Sequence, residues 1–132
     1  MPDPLFRMVC VPAAFDAAPA GWAGEMLQDG EVAFLADGGG FAGIDAVAHA
    51  LDLVTVSVVR SEETPAAQDR TVMAYAGSLA LVWLAPAFSA PVREWARKRG
   101  PMTLLVEVDG ALPDEERRRV ERFVAILGRQ TE

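Results

Sequence analysis

Residues 38–43 of this chain read GGGFAG, three consecutive glycines followed by a fourth at Gly43. That spacing suits a turn built to hold a phosphate. Gly38 permits a tight turn, and Gly40 lets a pyrophosphate approach the backbone. Gly43 then lets a following helix close against the preceding strand. A helix opening directly after such a turn presents free N–H groups and the positive end of its dipole to an anion. Glu62 follows the next β-branched run, about where an acid would meet the hydroxyls of a ribose.

The other reactive side chains form weaker sets. Cys10 lies in the apolar run LFRMVCV with no histidine nearby, and a buried structural thiol is expected. His49 is the only histidine and has no identified partner for base chemistry. One Cys and one His do not make a typical zinc set. Glu107, Asp109 and Asp114 outline a magnesium cluster, but Asp114 is better explained as the start of a helix. There is no P-loop lysine pattern and no G-x-S-x-G. No catalytic residue and no metal or other cofactor is therefore assigned.

The elements that must position the glycine turn follow from periodicity. Apolar or β-branched runs at Leu5–Val11, Glu31–Asp37, Leu53–Arg60, Leu79–Leu84 and Met102–Val108 predict five strands. The third run is apolar on both faces and suits a central strand. Helices are expected between the runs. Ile44, Val47, Ala48 and Leu51 make one apolar helix face, and residues 22–28 allow two helical turns before an Asp29-Gly30 turn. Thr64 and Pro65 open a helix ending at Gly77, and Ser89 caps a helix ending at Gly100. Pro113 and three acids start a last helix, with Gly128 as its stop and Val120, Phe123, Val124 and Leu127 as its buried stripe. Asp114 with Arg118 and Glu115 with Arg119 are expected i,i+4 pairs on that helix.

Strands alternating with helices predict one α/β domain over residues 1–132. Its expected form is a three-layer sandwich, a five-stranded mainly parallel sheet with helices on both faces. The layout is flavodoxin-like or Rossmann-like, with the strand order open. Residues 32–62, VAFLADGGGFAGIDAVAHALDLVTVSVVRSE, resemble the start of a dinucleotide-binding flavoprotein or dehydrogenase. The resemblance implies a nucleotide held by Gly38, Gly39, Gly40, Gly43 and Glu62. Asp37 and Asp45 flank the loop and oppose a phosphate, and a strand precedes it where the fingerprint ordinarily opens the domain. The layout is also similar to response-regulator receiver domains, but the corresponding strand ends carry VPAAFD, VVRSEE and VEVDG, and the only lysine, Lys98, precedes the fifth run.

Charge and composition narrow the partners. Of 132 residues 52% are hydrophobic, which argues for a packed core. The net charge is −7, with eight acids against two arginines in residues 1–60, so nucleic-acid binding through that half is disfavoured. Arg97 to Arg99 and Arg117 to Arg122 are basic clusters, for which a solvated helix face is the preferred reading. No apolar stretch is long enough to span a bilayer, and MPDPLFR is not the basic start of a secretory signal. With a single cysteine, a cytoplasmic setting is expected. The leading functional expectation is a non-catalytic binding or regulatory module acting through a protein partner or a homodimer, with Trp22, Met26 and Phe41 as exposed apolar candidates. The alternative is nucleotide binding at the glycine turn.

Overall fold

A computed structural model describes residues 5–15, 22, 25, 30–35, 57–59, 62–109 and 111–130. It is a mixed α/β structure around a parallel sheet. Strand β1 is Phe6–Cys10, β2 is Gly30–Phe34, β3 is Ser57–Val58, β4 is Ala80–Ala85 and β5 is Thr103–Glu107. The helices are α1, Pro65–Ala76, α2, Ala90–Arg99, and α3, Asp114–Gln130. Short 3-10 turns occupy Pro12–Phe15 and Gly100–Met102.

Four of the five expected strands are of full length, five or six residues each. The third is represented by two residues, and most of the run expected there lies outside the described residues. Every pairing is parallel, in the order β3-β2-β1-β4-β5. This order decides a point the sequence left open and corrects one expectation. A flavodoxin order would insert the third strand between the first and the fourth; here β1 pairs directly with β4, Phe6 opposite Ala80 and Val9 opposite Trp83. The third run was expected mid-sheet, yet among the described residues β3 pairs only with β2 and lies at the edge. A run apolar on both faces reports cover by helices, not the number of neighbouring strands.

Alternation along the strands divides the core between the two faces of the sheet. Phe6, Met8 and Cys10 of β1, Val32 and Phe34 of β2, and Ala80, Val82 and Leu84 of β4 pack with Val120 and Leu127 of α3. Val9, Ala33, Leu81 and Trp83 point the other way, onto Val72 and Ala76 of α1 and Val92 of α2. The expected stripe of α3 is present: Val120 and Leu127 are buried, and Phe123 and Val124 are packed against the same cluster. Trp83 is core, in an edge-to-face contact with Phe88 whose ring centroids are 5.3 Å apart.

Caps set the helix ends. Thr64 Oγ1 accepts from the Ala67 N–H at 3.1 Å, with Pro65 in the first turn of α1. Ser89 caps α2 by accepting from the Val92 N–H, and its own hydroxyl donates to Asp69 of α1 at 3.0 Å. Gly77 and Gly100 end α1 and α2 at φ of 55° and 62°, where a Cβ is disfavoured. One other glycine departs from expectation: Gly128 does not stop α3, which runs on to Gln130. Gly30 is the first residue of β2, opposite Phe6, and the rest of the expected turn before it lies outside the described residues.

Candidate functional site

In an open parallel sheet, ligands settle outside the carboxyl ends of the strands, where the chain switches direction of progress across the sheet. Here that place lies between β1 and β4, since β2 and β3 lie to one side of β1 while β4 and β5 lie to the other. Backbone bonds carry the strands slightly past their ends: Leu35 N–H donates to Cys10 O at 2.9 Å, and Val108 N–H to Ala85 O at 2.9 Å. A crevice of about 240 Å³ opens there. Val11 and Ala14 line it from the end of β1, Leu35 from β2, Leu84, Ala85 and Pro86 from β4, and Val108 and Asp109 from β5.

The crevice is enclosed more than the other depressions described, which are open troughs along α1, along α3 and beside β5. Among the described residues its lining is seven apolar side chains and one carboxylate, that of the exposed Asp109. It offers no cation to an anionic ligand and no nucleophile–base pair among the described residues. Cys10, just before Val11, is fully buried, and desolvation pushes its thiol far above the ordinary range. The thiol is therefore a core group, as expected from its apolar neighbours.

The glycine turn of residues 38–43, with its candidates Gly38, Gly39, Gly40 and Gly43, lies outside the described residues, as do His49, Met26 and Phe41. Leu35, three residues before Gly38, is on the crevice wall. Glu62, the remaining candidate, is on the approach to α1. Its carboxylate Oε1 accepts from Thr71 Oγ1 at 2.9 Å, and its N–H donates to Gln68 Oε1 at 3.1 Å. These bonds tie residue 62 to the first turns of α1, and it lines a shallow depression with Ala67, Arg70, Thr71 and Ala74, not the crevice.

Trp22 was expected to offer exposed apolar surface and is instead buried. Its ring lies 6.1 Å from that of Phe15, and its indole N–H donates to Glu121 of α3 at 2.8 Å. The large hydrophobic side chains that are exposed among the described residues are Val58 and Ile126.

The charged helix surfaces are largely paired. The expected i,i+4 bridges of α3 are replaced by i,i+3 ones, Asp114 with Arg117 and Glu116 with Arg119. Both spacings bring side chains together on a helix. Arg97 bridges to Glu94, and Arg99 donates to the Leu79 carbonyl and to Thr103 Oγ1 while lying over the Trp95 ring. The two basic segments pack on opposite faces of the sheet. Among the described residues, no group of three or more His, Cys, Asp or Glu could hold a metal ion. No helix among them is long and apolar enough to cross a membrane.

The feature that sequence reasoning missed is the crevice itself. Its wall is assembled from the ends of four strands, and each contributes ordinary Val, Ala, Leu or Pro residues with no chemical signature. Only the strand order brings them together. Comparisons of the chain with models of protein families, with curated proteins and with solved structures found no match.

Proposed function

We propose that this protein is a small binding module of three-layer, Rossmann-like design that takes a compact, largely apolar ligand in the crevice at the carboxyl ends of β1 and β4. The single observation that carries this reading is the crevice's position, at the switch point of a parallel sheet with order β3-β2-β1-β4-β5. Size and charge define the ligand. A space of about 240 Å³ is below the usual range for drug-sized ligands, which favours a ligand much smaller than a dinucleotide. With Asp109 as the only charged lining group among the described residues, a neutral or cationic ligand is favoured over an anionic one. At about 4 Å, like charges near a protein surface repel by roughly 4 kcal/mol.

The nucleotide reading keeps one point of support, the closeness in sequence of Leu35 to Gly38. Thermal unfolding separates the two. Benzyl alcohol, benzylamine, benzoate, ATP and NAD are each added at millimolar concentration. A probe at about ten times its dissociation constant adds about 1.4 kcal/mol, which is a shift of several degrees at this chain length. The crevice reading expects shifts with benzyl alcohol and benzylamine, none with benzoate, and loss of both in Ala85→Phe, which fills the space. Stabilisation by ATP or NAD that survives Ala85→Phe would overturn it in favour of the glycine turn.

A further inference from the structure

We propose that two copies of this chain pair along the free edge of β5, antiparallel and about a twofold axis through Leu105. Among the described residues β5 is hydrogen-bonded on one side only, to β4. In a parallel ladder the N–H and C=O of one residue point to the same neighbour, and successive residues alternate between the two sides. Val108 donates to Ala85 of β4, so Val106 and Leu104 face β4 as well. The backbone groups of Thr103, Leu105 and Glu107 therefore face outward. Antiparallel pairing about Leu105 sets Leu105 against its own copy and each Thr103 against the partner's Glu107. All three are then hydrogen-bonded positions, and every outward N–H and C=O of the strand finds a partner.

The charges agree with this register. Leu105 packs toward the face that carries α2, and by alternation Thr103 and Glu107 share that face. Glu107, bridged to Arg93 of α2, puts a carboxylate at one end of the edge. At the other end, the Arg99 guanidinium of α2 donates to Thr103 Oγ1 at 2.8 Å. Twofold antiparallel pairing brings each Glu107 beside the partner's Thr103 and hence its Arg99, opposite charges meeting twice. A parallel arrangement would set Glu107 against Glu107. The edge is also open: a groove of about 270 Å³ runs along Leu105 and Glu107, with Phe88 and Arg93 on one wall and Glu116 and Arg119 on the other. A free, regular edge strand with polar walls is a template for a second strand, and a twofold operator closes the assembly as a dimer.

Sedimentation equilibrium of the full chain over a concentration series tests the pairing. The expected result is a reversible monomer–dimer equilibrium. Leu105→Pro removes an N–H that does not face β4, and should leave a monomer with an unchanged circular dichroism spectrum. Glu107→Lys, at an exposed position, should weaken the dimer by about tenfold or more, because it sets like charges at both ends. Should Leu105→Pro fail to fold, Glu107→Lys alone decides. A chain that stays monomeric to roughly 1 mM, the limit of weak association, overturns the proposal. So does a dimer whose dissociation constant ignores Glu107→Lys.

Discussion

Gly30 shows how one residue can hold the sheet's centre. A Cβ built there would come within 2.4 Å of the Phe6 ring, and Phe6 is fully buried. The ring lies where the Gly30 side chain would be, across the β1–β2 pair. Gly30→Ala should therefore destabilise by about 1–3 kcal/mol through overpacking, read as a lowered denaturant midpoint with an unchanged slope. Adding Phe6→Leu should recover part of that loss, so that the double variant is more stable than the sum of the two changes. Additive effects would show that the contact is relieved at no cost. The same scale explains what sequence could say of Cys10 and Trp22. Cys10 is buried as its neighbours implied, because a thiol in a β-branched run has nowhere polar to go. Trp22 is buried against expectation because its indole N–H meets Glu121, a residue 99 positions along the chain that local reading cannot supply.

At the scale of elements, the helices were the most legible part. Thr64 with Pro65, Ser89, Gly77 and Gly100 mark the ends of α1 and α2 through local chemistry, and the structure uses each as expected. Gly128 failed as a stop because glycine ends a helix only where the chain needs positive φ, and the positive-φ glycines described are Gly77 and Gly100. Gly128 lies within α3, and a Cβ there would meet nothing within 4 Å. Gly128→Ala should thus raise stability by about 0.5–1 kcal/mol, while Gly77→Ala, at φ of 55°, should lower it. Thermal melts of the two variants check this, and equal effects in the same direction would contradict the assignment. Strand positions were legible to within one residue for β1, β4 and β5, while the second run was read past Phe34, where β2 ends. Pairing was not legible, because the apolar run around Ser57–Val58 has the same appearance at an edge as in the middle of a sheet.

For the whole molecule, strand order turns ordinary residues into a site. Val11, Leu35, Leu84 and Val108 belong to four different strands or their ends, and only β1 lying between β2 and β4 brings them around one crevice. The glycine turn drew the functional reading because its chemistry is written in consecutive residues, whereas the crevice is written in topology. Binding at the crevice and pairing along β5 involve different parts of the sheet, its carboxyl end and its side, so either can be tested without the other. The most direct test of the binding reading is a methyl NMR titration of the full chain with benzylamine. The account predicts shifts confined to Val11, Ala14, Leu35, Leu84, Ala85 and Val108, weakened by Asp109→Asn and abolished by Ala85→Phe. Shifts scattered over the surface, or none at saturating benzylamine, would contradict it.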